Sequence, residues 1–276
     1  MSGQLYLCAT PIGNLKDITL RCLETLKAVD LILAEDTRQT RKLLNHYEIS
    51  TPLKSFHAHN EYHQTEALIQ QLQQGQNIAL VSDAGLPLIS DPGAHLVQAL
   101  REQNIPLTCI PGASAPPTAL LLSGLPPLPY TFLGFLPRQR GQRQTQLQAY
   151  RHDAATLVCF ESPHRLQQSL EDLCEVLGDR PAAVCRELTK RYEDVQRGPL
   201  SQLIQHFKAE PARGEITLVI AGAQASEQVL LQGNHAVLSR YDALRTQGWQ
   251  KKAILQQLRE ESGLSRNELY TLLHDV

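Results

Sequence analysis

Ionisable side chains gather at four points of this chain, each directly behind a short apolar run. They are Glu35-Asp36-Thr37-Arg38, His57-Ala58-His59-Asn60-Glu61, Glu161-Ser162-Pro163-His164-Arg165 and Arg186-Glu187-Leu188-Thr189-Lys190. Carboxylates beside lysine or arginine are the groups that draw off a proton or hold a developing negative charge. The histidine cluster raises a metal reading, because His57 and His59 share one side if they continue a strand. No cysteine stands near them and too few further ligands have usable spacing, so no metal is expected. Each charged run, taken alone, also fits an ordinary solvated turn.

Several chemistries are excluded by missing motifs. The chain has no GxxxxGK[ST], no GxGxxG and no GxSxG. That argues against a nucleoside triphosphatase, an ordinary dinucleotide enzyme and a serine hydrolase built on a nucleophile elbow.

The charged runs must be positioned by the elements that precede them. The centre is Ile78-Ala-Leu-Val81, an apolar run too short for a helix, followed by the slim loop Ser82-Asp83-Ala84-Gly85-Leu86-Pro87. A strand, a small-residue loop and a helix in that order make the ligand site of many α/β proteins. Asp91 reads as the N-cap and Pro92 as the first turn of a helix over Ala94–Gln103. Comparable strands are expected at Leu5–Ala9, Leu31–Ala34, Leu53–His57 and Leu107–Ile110. Helices are expected at Thr19–Val29, Thr40–Tyr47, Gln64–Gln74 and from Ala115 through Leu122. This alternation predicts a largely parallel sheet with helices on both faces.

Pro126–Pro129 punctuates the chain, and Phe132–Leu136 leads out of the first region. Arg138-Gln-Arg-Gly-Gln-Arg143 follows, with no acid before Arg151, and reads as a hinge with a basic lining. A second α/β unit is expected from strands at Thr156–Phe160, Ala182–Arg186, Asp194–Arg197 and Ile216–Ile220, with helices at His164–Leu177 and Ser201–Phe207. Ser162 is the expected cap of the first of these helices. Gly222–Asn234 reads as a linker. An amphipathic helix over Lys251–Glu261, a turn at 262–264 and a Ser265-capped helix through Leu273 resemble a helix-turn-helix or any α-hairpin. The domains are thus 1–130, 131–222 and a small helical extension at 236–276.

With 276 residues and a formal net charge of −2, any polyanion must be met by a local basic patch. No stretch has the length of a membrane span, and six scattered cysteines without CxxC pairs suit free buried thiols in a reducing compartment. A cytoplasmic protein is expected.

The stretches ATPIGNLKDIT (Ala9–Thr19), AEDTRQTRKLL (Ala34–Leu44), HAHNE (His57–Glu61), ALVSDAGLPLISDPG (Ala79–Gly93), PGASA (Pro111–Ala115), SGLP (Ser123–Pro126), GFLP (Gly134–Pro137), ESPHR (Glu161–Arg165) and RELTK (Arg186–Lys190) occur in order. Together, over roughly residues 4–222, the chain resembles the tetrapyrrole-methylase superfamily. Within it, the likeness is to the cytidine 2'-O-methyltransferases of small-subunit (16S) ribosomal RNA. The resemblance implies two α/β domains with S-adenosylmethionine in the cleft between them, a homodimer, and a cytidine ribose of ribosomal RNA or the 30S subunit as acceptor. It implies cofactor contacts at Thr10, Pro11, Asp83, Ala84, Gly85, Leu86, Ile89, Ser114, Ala115, Phe160, Leu188 and Thr217. The family usually carries Thr where this chain has Leu86, which removes a side-chain hydroxyl there. The helix after Pro111 is expected to offer free N–H groups to a carboxylate.

A ribose hydroxyl is a poor nucleophile until its proton is drawn off, so a base or a nearby cation is required. Among Asp36, Glu61, Glu161, Glu187 and Lys190, the choice falls on Lys190 and Glu187 with Asp36. RNA contacts are expected from Arg38, Arg41, Lys42, His59, Asn60, Glu61, Arg138, Arg140, Arg143, Glu161, His164 and Arg165. Two other readings stand beside this one: methylation of a corrinoid or porphyrin precursor, and a non-catalytic nucleic-acid-binding regulator.

Overall fold

The computed structural model describes residues 2–223, 234–262 and 264–274. The chain divides into two compact units, Met1–Gly222 and Ala223–Val276.

In the first unit, β1 (Leu5–Cys8), β2 (Leu31–Ala34), β3 (Leu53–Ser55), β4 (Ile78–Val81) and β5 (Leu107–Ile110) form an all-parallel sheet in the order β3-β2-β4-β1-β5. Its short apolar runs are buried on both sides by alternation. Leu5, Leu33, Ile78 and Leu80 pack with Leu68 and Leu72 of α3 (Glu61–Gln73) and Leu96 and Leu100 of α4 (Ala94–Glu102). Cys8, Ile32, Ala34, Ala79 and Val81 pack with Cys22 and Leu26 of α1 (Leu20–Ala28) and Leu44 of α2 (Thr37–His46). From β1 the chain steps over β4 to reach β2. From β4 it steps the other way, over β1, to reach β5. The crevice at the carboxyl ends of β1 and β4 is therefore the topological switch point, where α/β sheets bind ligands.

The second sheet contains β6 (Tyr130–Phe135), β7 (Thr156–Glu161), β8 (Pro181–Arg186), β9 (Asp194–Pro199) and β10 (Ile216–Ile220), ordered β6-β7-β10-β8-β9. Only β6 and β7 run parallel; β10 is antiparallel to both neighbours, and β8 to β9. One face is covered by α6 (Arg140–Gln148), α7 (Leu166–Leu177) and α8 (Leu200–Ala209), through Leu147, Leu170 and Leu203. The other packs Val158, Ala183, Cys185 and Val219 against Ala119 and Leu120 of α5 (Ala115–Ser123) and against Ile12, from the loop after β1. That shared core brings the strand-end loops of the two sheets together.

Several local expectations are corrected. The basic stretch at Arg138–Arg151 contains a helix, α6, whose buried face is Arg143 and Leu147, an i,i+4 pair. Ser162 does not cap α7, which begins at Leu166 behind Arg165, with the Ser162 carbonyl accepting from the Arg165 and Leu166 amides. Asp91 does not cap α4 either. The N-cap is Gly93, at φ 123°, and Asp91 accepts the Ser82 hydroxyl instead. The cap comes from Glu61, whose Oε1 accepts from the His95 amide at 2.9 Å and the Leu96 amide at 3.1 Å. Glu61→Ala is expected to lower stability by about 1–2 kcal/mol, the usual worth of an N-cap acceptor, measured by urea unfolding. Glu61→Gln, which keeps an oxygen acceptor, is expected to lose less.

The second unit contains α9 (Asn234–Thr246), α10 (Lys251–Ser262) and α11 (Arg266–His274), packed through Val237, Leu244, Ile254, Leu258 and Leu269. Ser265 and Glu268 form a capping box on α11, with Ser265 N donating to Glu268 Oε2 and Glu268 N to Ser265 Oγ. The linker expected at 222–234 falls mostly outside the described residues. All six cysteines are free, and Cys109 is exposed. Among the described residues, no helix is long and apolar enough to cross a membrane.

Candidate functional site

Main-chain hydrogen bonds fasten the switch point. Thr10 N donates to Gly85 O at 2.9 Å, Gly85 N returns the bond to Thr10 O at 3.1 Å, and Thr10 Oγ1 donates to Ser82 O at 3.0 Å. Gly85 takes a left-handed φ of 85°, and a Cβ there would sit 3.3 Å from Ile12 Cγ2 and 3.5 Å from Ala113 O. Three loops meet at this glycine, which explains why the slim residues after β4 are needed.

A cleft of about 380 Å³ opens beside it, within the range of small-molecule sites. One wall is Asp83–Leu86, Ile89–Asp91 and Ser114–Pro116; the other is Phe135, Phe160–Pro163, Leu188 and Gly214–Thr217. Asp83, Ala84, Gly85, Leu86, Ile89, Ser114, Ala115, Phe160, Leu188 and Thr217 all lie on it, whereas Thr10 and Pro11 line a neighbouring cavity. Two of the lining loops hold non-glycine residues in the left-handed region. Leu88 (φ 69°) and Ser90 (φ 74°) flank Ile89, and Glu187 (φ 50°) and Thr189 (φ 66°) flank Leu188. Such backbone conformations cost about 1–3 kcal/mol each and gather at ligand sites, where the surrounding structure imposes them. The expected row of free amides at the start of α5 is absent. Pro116 and Pro117 follow Ala115 in the first turn, so only Ala115 among these three has an N–H to give.

The neighbouring cavity, about 370 Å³, is lined by Thr10–Gly13, Gln39, Thr40, Lys42, Ser82–Ala84, Lys190 and Glu215, among others. Lys190 Nζ lies 2.9 Å from Glu187 Oε1 and 3.1 Å from Glu215 Oε2. Glu187 Oε1 also accepts from the Glu215 amide at 2.9 Å. Burial opposes the charge on Lys190, but the hydrogen bonds it donates to both glutamates prevail and raise its pKa above the ordinary lysine value. Glu187 shifts the other way: against burial, Lys190 and the Glu215 amide hold it below the usual carboxylate range. Lys190 is thus a fixed ammonium at neutral pH and cannot act as a base. Two glycines make room for this network. A Cβ on Gly13 would meet Lys190 Cγ at 2.5 Å, and one on Gly214 would meet Glu187 Oε1 at 2.3 Å.

Asp36 stands apart. Its carboxylate caps α2 through the Arg38 amide and pairs with the Arg38 guanidinium, which hold it at about 2. It does not line either cavity.

The expected RNA contacts divide into presented and committed groups. Arg38, His59, Arg138 and His164 are exposed, although Arg38 is paired to Asp36. Arg41 and Lys42 are also exposed, and with Arg38 they line a shallow basin on α2. Asn60 is occupied by its turn, accepting from the His57 amide and donating to the Ser55 carbonyl. Glu61 is the α4 cap. Glu161 is buried, accepting from the Ser162 amide, the Ser169 hydroxyl and Arg165, while Arg165 also holds the Leu136 carbonyl. Arg140 pairs with Asp172 and Glu175. Arg143 is fully buried, gripping Asp172 and the carbonyls of Pro137 and Arg138, so it presents no charge to solvent. Sequence reasoning missed Glu215 and the junction position of Asp83, since neither lies in a charged run. Among the described residues, no three His, Cys, Asp or Glu side chains are grouped to hold a metal ion.

Residues 4–204 match the family model described as Tetrapyrrole (Corrin/Porphyrin) Methylases. The chain is 44% identical to a Ribosomal RNA small subunit methyltransferase I of Halalkalibacterium halodurans, over 99% of this chain and 95% of that protein. It is 49% identical to the protein of the same name from Bacillus subtilis, over 82% and 77%. For that from Synechocystis the identity is 46%, over 98% and 97%. Among solved structures, uroporphyrin-III-C-methyltransferase from Thermus thermophilus superposes with a TM-score of 0.56 at 23% identity, covering 79% of this chain and 94% of that one. Diphthine synthase superposes with a TM-score of 0.61 at 16% identity, covering 80% and 90%. These two likenesses concern the fold alone.

Proposed function

The chain belongs to the tetrapyrrole (corrin/porphyrin) methylase family, and from that premise we propose that it methylates the ribose 2'-hydroxyl of a cytidine in 16S ribosomal RNA. It is a methyltransferase, and its methyl donor is S-adenosylmethionine. The observation that carries the reading is the pair of adjoining cavities at the switch point, which share Ile12, Ser82, Asp83, Ala84 and Glu215.

The first cavity fits the donor. Phe160, Leu188 and Ile216 give it apolar walls for a flat ring, and the loop after β4 gives it main-chain edges. When bound, the donor supplies an electrophilic methyl on a sulfonium, already an activated leaving group. The residues of this chain must then align the acceptor and make its oxygen nucleophilic. Lys190, locked between Glu187 and Glu215 at the wall of the second cavity, supplies a positive charge that favours an oxyanion. Thr10, Gln39, Thr40 and Lys42 give that cavity a polar lining that suits a nucleotide.

We place RNA on the exposed cations of α2, Arg38, Arg41 and Lys42, since Lys42 belongs to both the basin and the second cavity. In the C-terminal unit, Lys251, Lys252, Arg259 and Arg266 surround one groove and suit phosphates likewise. Replacing Arg41 and Lys42 by Ala is expected to flatten the dependence of log affinity on log salt by about 0.7–0.9 for each phosphate no longer neutralised, read from 30S-subunit binding over a salt series. We also take the domains as 1–130 and 131–222, and the working form as a cytoplasmic homodimer. Exposed Leu121, Leu122, Leu128 and Tyr130, at the end of α5 and the start of β6, support a covering partner.

The test is methyl transfer from labelled S-adenosylmethionine to purified 30S subunits and to free 16S RNA, with the modified nucleotide mapped by mass spectrometry. Label on a cytidine ribose is the expected result. Label on a base, or on neither RNA substrate, refutes the reading.

A further inference from the structure

The two cavities meet at two titratable side chains, Asp83 and Glu215. Glu215 has a partner, Lys190. Asp83 is held differently. Its Oδ1 accepts from the Asp36 amide at 3.0 Å, and among the described residues its Oδ2 has no hydrogen-bond partner. Its backbone is fixed on both sides, by Thr10 on the Ser82 carbonyl and by the paired amides of Thr10 and Gly85.

Glu35 lies nearby but lines neither cavity, and the other nearby carboxylates are already engaged. Asp36 is paired with Arg38, and Asp91 receives the Ser82 hydroxyl. Glu161 is enclosed by Ser162, Ser169 and Arg165, while Glu187 is tied to Lys190 and the Glu215 amide. We propose that Asp83 is the general base that takes the proton of the acceptor hydroxyl, an assignment that rests on the function proposed above. Asp83 lines the donor cavity and the acceptor cavity at once, and its Oδ2 is left for the transfer.

Atoms and charge balance in the step. The acceptor O–H bond breaks and its proton passes to Asp83. An oxygen electron pair forms the new O–CH₃ bond while the S–CH₃ bond breaks, its electrons remaining on sulfur, which departs as a neutral thioether. Water then takes the proton from Asp83.

The surroundings favour this role. Asp83 is exposed at the cavity mouth; the partial desolvation it meets there raises its pKa, and the nearby charge of Asp36 adds to it, against the hydrogen bond from the Asp36 amide. Glu35 is near it at the end of β2 and Asp91 in the loop just before α4, while Lys42 of α2 and Lys190 and Glu215 of the second sheet line the same cavity. A carboxylate raised toward the working pH is a better base than an ordinary one.

The experiment compares the full chain with Asp83→Asn, which keeps Oδ1 for the Asp36 amide, using S-adenosylmethionine and 30S subunits. The expected result is a kcat lowered by about 10²–10⁴-fold, with the calorimetric Kd for S-adenosylmethionine changed by less than about threefold and thermal stability retained. A base works deprotonated, so the kcat of the unaltered protein falls as pH drops through the Asp83 pKa; the variant is expected to lose that limb. A kcat within about threefold of the unaltered protein overturns the proposal. So does a cofactor Kd that weakens in step with activity, because Asp83 would then be holding the donor. Label absent from 30S subunits with the unaltered protein sinks the proposed function itself, and this inference with it.

Discussion

Replacing Lys190 by methionine is expected to lower kcat about 10²–10³-fold, the range found when one preorganised donor to a developing oxyanion is removed. The affinity for S-adenosylmethionine should stay near its original value, since Lys190 lines the second cavity and is absent from the wall of the first. Single-turnover methyl transfer separates the two effects. The fold should tolerate the change. The Lys190 side chain is 26% exposed, and ion pairs in contact with solvent are worth about 0–1 kcal/mol each. The pH dependence has a definite sign. Because the Glu187 pKa is depressed in the folded state, its contribution to stability is present above the unfolded carboxylate value and is lost as pH falls through the folded one. Lys190, raised in the folded state, keeps its charge through the neutral range and loses it only on the alkaline side. A variant with full kcat would remove Lys190 from the chemistry and leave the ion-pair network a purely structural tie.

The parallel sheet was legible because its strands are buried on both faces. Four-residue runs such as Ile78–Val81 have no polar face to disguise them. The strand-end loops could be read for the same reason, and with them ten of the twelve cofactor contacts that the resemblance implied now face one cleft. What escaped was whatever depends on a partner far along the chain. Arg143 sits in a run of cations without an acid, and its counter-charge, Asp172, lies 29 residues away on another helix. Glu61 belongs to a polar turn in sequence, yet its acceptor oxygen closes a helix 34 residues on. The mixed pairing of the second sheet had no signature either, because an apolar run such as Ile216–Ile220 carries no record of strand direction. In sequence, Asp83 offers only its backbone. Its side-chain role emerges only where loops from two sheets leave it between two cavities.

The buried arginine gives the other large effect, and it concerns stability, not RNA. Arg143→Met is expected to destabilise the protein by about 3–5 kcal/mol, because Asp172, 1% exposed, keeps a buried charge without its full counter-ion. Arg140 and the Gln144 amide remain on Asp172 Oδ1, so the loss should fall toward the lower end of that range. The guanidinium also ties the carbonyls of Pro137 and Arg138, so the turn into α6 is expected to loosen with it. Denaturant unfolding measures the loss. The double variant Arg143→Met with Asp172→Leu should recover much of it, since well-packed apolar residues often replace a buried ion pair at little or no cost. Whatever fraction of Arg143→Met remains folded should bind 30S subunits with an unchanged salt slope, whereas an RNA-contacting arginine would take about 0.7–0.9 from that slope. A slope reduced by that amount, with the unfolding midpoint unmoved, would return Arg143 to the RNA surface and contradict its burial against Asp172.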